Sequence, residues 1–94
     1  MIVIRNCFVA KPGMASKLAA LVKDVAATAQ MPGYRVLTDM TGDFNRVVLE
    51  YEAENPTEFE ARMKEYMSGT EMREKMKGYT ELYMTGSREV MQVV

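Results

Sequence analysis

Asn6 stands in a short strand-like run, "RNCFVA", that follows the apolar start "MIVI". A primary amide carries two N–H donors and a carbonyl acceptor, so in a cavity it can orient a carbonyl or an oxygen intermediate. Buried without partners, the same group costs about 1–3 kcal/mol, which gives it a second reading. In that reading the amide bonds to backbone or to a buried water and has no chemical role. The residue type alone allows both.

Four tyrosines could place further hydroxyls near such an amide: Tyr34, Tyr51, Tyr66 and Tyr83. A phenol joins a large apolar body to one polar tip, so these residues serve equally as packing with hydroxyls at the rim. Ten methionines are many for 94 residues, and Met63, Met67, Met72 and Met76 fall along one region. Methionine is flexible and polarisable, so it either fills an irregular core or adapts to an apolar ligand. A pocket of methionine and tyrosine would favour a flat or aromatic molecule. The candidate set is thus Asn6 as the catalytic residue, with Tyr34, Tyr51, Met63, Tyr66, Met67 and Tyr83 binding ligand.

Other chemistries find little support. The single cysteine, Cys7, has no second thiol, no histidine and no metal-ligand spacing around it, so it reads as an inert strand residue. The chain has no histidine, which removes the usual general base, and it has no glycine-rich phosphate loop. Asp39 and Glu50 could meet as an acid pair, but Arg35 and Arg46 nearby favour ion pairing at an interface. A net charge of −1 gives no footprint for nucleic acid. No stretch approaches the roughly 20 apolar residues of a membrane span, and "MIVI" meets Arg5 too soon for a signal peptide. A cytoplasmic setting, where a free thiol persists, is the expectation.

These residues need a frame. Residues 2–10 read as a strand closed by Pro12-Gly13. Met14 to Gln30 reads as a helix, with Leu18, Leu21, Val22, Val25, Ala26 and Ala29 on one stripe, stopped by Met31-Pro32-Gly33. Tyr34–Thr41 and Phe44–Ala53 read as a hairpin turning near Gly42-Asp43. Asn55 caps a second helix, with Pro56 at its first position and Glu58 three residues after the cap. Ser68-Gly69-Thr70 interrupts that helix. Its second piece carries Met72, Met76, Tyr79 and Tyr83 at helical spacing, with Gly86 placed to end it. Ser87–Val94 reads as the last strand.

The order β-α-β-β-α-β is the split pattern of a ferredoxin-like α+β domain, in which two helices cover one face of a four-stranded antiparallel sheet. Residues 1–94 form a single domain on this reading. Alternation puts Tyr34, Val36, Thr38, Met40, Val47, Leu49, Tyr51 and Ala53 under the helices, together with Ile2, Ile4, Asn6 and Phe8. The opposite face mixes Val3, Leu37 and Val48 with Arg5, Arg35, Arg46, Asp39 and Glu50. Branched apolars beside pairable charges suit packing against a second copy, so a homodimer through this face is expected. A 94-residue chain without a disulfide also gains most from association. The charge divides as +3 over residues 1–49 and −4 over residues 50–94. That split fits either complementary halves of two copies or a more heavily solvated second half.

"RNCFVAKPGMASKLAALV" resembles the opening of NIPSNAP-type and antibiotic-biosynthesis-monooxygenase-type domains: a strand, a Lys-Pro-Gly turn and an amphipathic helix. "GSREVMQVV" resembles the closing strand of NIPSNAP-like bacterial proteins. The resemblance implies a dimeric α/β barrel, two ferredoxin-like protomers packed sheet against sheet. It also implies a pocket between sheet and helices into which a first-strand asparagine projects, and Asn6, seven residues before Gly13, matches that position. Monooxygenases of this superfamily oxidise electron-rich substrates without metal or flavin, using substrate-derived carbanion chemistry, so no cofactor is expected. Haem degradation is not expected, because the tryptophan and histidine of the haem-degrading branch have no counterparts here. Three functions follow: a dimer that binds and oxidises an apolar or aromatic metabolite, a non-catalytic NIPSNAP-like binding or assembly domain, and a stress-responsive dimer whose partner surface is the acidic helix region.

Overall fold

A computed structural model describes residues 1–94. The chain runs β1 (Ile2–Ala10), α1 (Ala15–Thr28), β2 (Arg35–Thr38), β3 (Arg46–Ala53), α2 (Pro56–Ser68), α3 (Thr70–Met76), a 3-10 turn (Tyr79–Glu81) and β4 (Tyr83–Gln92). The four strands form one antiparallel sheet in the order β2-β3-β1-β4. This is the ferredoxin-like α+β arrangement anticipated from the element order.

Period-2 alternation explains the core. Ile2 and Ile4 of β1 and Val47, Leu49, Tyr51 and Ala53 of β3 are all buried on the helix side. They pack against Leu18, Val22, Val25 and Ala26, the stripe of α1 that recurs every three or four residues. All 14 buried residues are hydrophobic, so the core excludes charge completely, yet it is small for the chain. Helix α2 begins as its sequence predicts. Asn55 Oδ1 accepts from the Glu58 N–H at 2.9 Å, and Glu58 Oε2 accepts from the Glu54 N–H at 3.0 Å.

Three boundaries differ from expectation. The hairpin strands are shorter, because Asp39 leaves the ladder to accept from the Arg46 backbone N–H at 3.0 Å. Gly42 (φ 101°) and Asn45 (φ 66°) then turn the chain through left-handed backbone, leaving Met40 in the loop and 98% exposed instead of under the helices. The last helical piece stops at Met76, since Gly78 takes φ 80°, a conformation that ends a helix at little cost to glycine. Tyr79 therefore lies in a 3-10 turn, and Tyr83 opens β4 instead of continuing a helix. Gly86 does not terminate a helix; it lies within β4, where an added Cβ would sit 3.2 Å from the Cys7 carbonyl oxygen.

The molecule is a slab, 36 × 35 × 19 Å. From Met84 onward every residue of the edge strand β4 is exposed.

Candidate functional site

The break at Gly69 builds the site. Gly69 is extended (φ −82°, ψ 145°), so α3 leaves the line of α2. It packs against α1, with Lys75 Nζ 2.8 Å from Asp24 Oδ2. Only Tyr66 of α2 and Met72 of α3 reach full burial. The second helical layer is thus propped over the sheet and not pressed onto it. A cavity of about 410 Å³ lies between them, and 14 of its 18 lining residues are hydrophobic. That volume is within the range of small-molecule sites, about 300–1,000 Å³.

The sheet supplies one wall through Asn6 and Phe8 of β1, Leu49 and Tyr51 of β3, and Gly86 and Arg88 of β4. Leu21, Val22 and Val25 of α1 close one side. Met63, Tyr66 and Met67 of α2, Met72 and Met76 of α3, and Tyr79 and Tyr83 form the roof. Asn6, Tyr51, Met63, Tyr66, Met67 and Tyr83 are therefore brought to one cavity. Tyr34 is not among its lining residues; it packs against the core beyond the cavity, next to the turn after α1.

Polar chemistry in this cavity centres on β1 and β4. Asn6 and Arg88 are directly paired in the ladder, and Arg88 Nε donates to Asn6 Oδ1 at 2.8 Å. Because a guanidinium only donates, this bond fixes the amide, turning its NH2 away from Arg88. The amide is bonded neither to backbone nor by crowding alone. Arg88 also lies over the Phe59 ring, its guanidinium carbon 5.5 Å from the centroid. The sequence reading missed Arg88. Arg88 lay within the expected last strand, Ser87–Val94, but the register that sets it opposite Asn6 comes from pairing across the sheet.

Tyr51, only 2% exposed, donates from Oη to Met63 Sδ at 3.4 Å. Burial pushes its phenol up from the ordinary value, and the Arg88 guanidinium and the Asn6 amide oppose that rise. Burial likewise raises Tyr83, helped by its neighbour Tyr79, whose ring is centred 5.6 Å away. Both are neutral hydroxyls near pH 7. The Tyr66 hydroxyl is buried, and the Arg62 side chain is the polar group beside it.

The remaining candidates lie elsewhere. Cys7 is half-buried on the opposite sheet face between Val48 and Ser87. Asp39 and Glu50 do not meet as an acid pair: Asp39 faces Arg46, and Glu50 faces Arg5 and Arg35. These ion pairs form within the chain. No group of three or more acidic, cysteine or histidine side chains could hold a metal ion. No helix is long and apolar enough to cross a membrane.

Comparison with solved structures places this geometry. A NIPSNAP domain protein from Burkholderia xenovorans superposes with a TM-score of 0.87 at 12% identity, covering 100% of this chain and 95% of that one. The two share their fold. A NIPSNAP family protein of unknown function from Agrobacterium tumefaciens gives 0.83 at 15% identity, with 99% and 87% coverage. An antibiotic biosynthesis monooxygenase gives 0.74 at 13% identity, with 100% and 99% coverage. The NIPSNAP-like and monooxygenase-like fold expected from the opening and closing segments is therefore present. No protein-family model matches the chain. No curated protein matches it either.

Proposed function

We propose that this protein is a homodimer that binds a small apolar or aromatic metabolite in the cavity of each protomer and oxidises it without a cofactor. The observation that carries the reading is the cavity of about 410 Å³ with Asn6 in its wall. The Asn6 NH2 group, turned away from Arg88, lies beside the Tyr51 hydroxyl, and the two together would meet a carbonyl or an oxygen intermediate. The monooxygenase structure with this fold supports the reaction class by likeness of fold alone. A single domain with a cytoplasmic location belongs to the same reading.

The dimer is supported by surface area. The chain exposes 6318 Å². A compact monomer of this mass exposes about 5,500 Å². The chain thus exposes more surface than a compact monomer of its mass, as a protomer with an uncovered face does. Leu37 and Met91, 40% and 48% exposed on the sheet face away from the helices, are the apolar residues a second copy would cover.

Oxygen uptake with an anthrone-type substrate tests the activity. Wild type should consume oxygen, and Asn6→Ala should abolish uptake while changing stability by no more than about 1–2 kcal/mol. Loss of stability with retained uptake would make Asn6 structural. A second reading, a NIPSNAP-like binding domain without catalysis, is favoured by the Arg88 bond that already occupies Asn6 Oδ1. Tight binding of the anthrone without any oxygen uptake would select it.

A further inference from the structure

We infer that the metabolite is an amphipathic anion, an apolar or aromatic body carrying a carboxylate, and that Arg88, held in place by Asn6, receives the carboxylate at the mouth of the cavity. The inference rests on the reading of this cavity as a ligand site and adds the charge of its occupant.

A guanidinium has five N–H donors, and Arg88 uses one, Nε, on Asn6. No carboxylate of this chain pairs with the rest: Arg88 takes part in none of the ion pairs. The nearest acid along β4, Glu89, points to the opposite sheet face and reaches Arg5 at 3.4 Å. Asn6 commits its carbonyl to Arg88 and turns its NH2 the other way, toward Tyr51. The Tyr51 hydroxyl spends its proton on Met63. The polar corner of an otherwise apolar cavity therefore holds a cation that no acid of the chain neutralises. A neutral ligand of the same shape leaves the Arg88 fork with water alone. A carboxylate matches it with two parallel bonds.

Position sets the orientation. Arg88 is exposed and steadied over Phe59, whereas Met72 and Tyr66 are buried. The charged end stays at the opening, where it keeps part of its hydration, and the apolar body enters toward the methionines. A cation on the ligand would be repelled by Arg88.

Isothermal titration of the intact protein with 1-naphthoate and with 1-naphthalenemethanol, its neutral counterpart, tests this. Wild type should bind the acid about tenfold more tightly than the alcohol. Arg88→Gln should equalise the two, and Arg88→Lys, which keeps the charge but loses the fork, should retain part of the preference. Raising ionic strength should shrink the preference in wild type without weakening the alcohol, a readout independent of any variant. Equal binding of both probes by wild type would overturn the anionic assignment and leave the cavity as a ligand site. Preference kept by Arg88→Gln would overturn the role of Arg88. Binding of neither probe would remove the ligand site and this inference with it.

Discussion

Glu50 stands between Arg5 and Arg35 on the sheet face away from the helices. Its Oε2 lies 2.9 Å from Arg5 Nη2 and its Oε1 lies 2.8 Å from Arg35 Nη2. Strand pairing imposes this arrangement, because Arg5 and Arg35 both oppose Glu50, one from β1 and one from β2. The Glu50 side chain is only 12% exposed, so its oxygens depend on these two partners.

The Arg5 bond, joined by Arg35, holds the Glu50 carboxyl below its ordinary value against the opposing effect of burial. A carboxyl depressed in the folded state contributes stability above its unfolded pKa, and that contribution is lost as pH falls through the folded value. Glu50→Gln should therefore lower Tm at pH 7. The gap should narrow as pH falls below the ordinary carboxylate range and close once the folded-state carboxyl is protonated. Thermal unfolding followed by circular dichroism across pH 3–7 checks this. An unchanged gap at low pH would mean the charge of Glu50 contributes nothing.

The proposed dimer predicts sedimentation at twice the 10.7 kDa chain mass at micromolar concentration. Leu37 lies on the exposed sheet face, and Leu37→Glu would set a charge against the partner in apolar surroundings. The variant should sediment as a monomer and lose thermal stability as dilution no longer matters to it. A wild-type chain that is well folded and monomeric at this concentration would count against the interface.

Gly86 tests how closely β4 approaches β1 beside the cavity. An added Cβ would lie 3.2 Å from the Cys7 carbonyl oxygen and 3.3 Å from the Phe8 ring. The first contact is backbone within a paired ladder, which has little room to give. Gly86→Ala should destabilise by about 1–2 kcal/mol in urea unfolding, as overpacking does, although alanine is the better strand residue. A stabilised variant would show that β4 shifts freely.

Much of this protein could be read from its residues in order. Alternation in β1 and β3 assigns Ile4, Leu49 and Tyr51 to the core and sends Asn6 to the helix side, because a strand's side-chain period is fixed at two. Asn55-Pro56 with Glu58 sets the start of α2, since capping is local chemistry. Spacing along α1 picks out Leu18, Val22, Val25 and Ala26 for the same kind of reason. Those features need only neighbours within a turn or two.

Arg88 and the cavity needed the tertiary structure. The helical spacing of Met72, Met76, Tyr79 and Tyr83 continues past Gly78, and only the left-handed turn there moves Tyr83 into β4 and sets its register against β1. That register decides that Arg88 meets Asn6, across 82 residues of chain. Whether methionines and tyrosines close into a solid core or leave about 410 Å³ between layers depends on where α3 lands after Gly69. No local pattern encodes that placement, because it is the balance of α3 packing on α1 against α2 packing on the sheet.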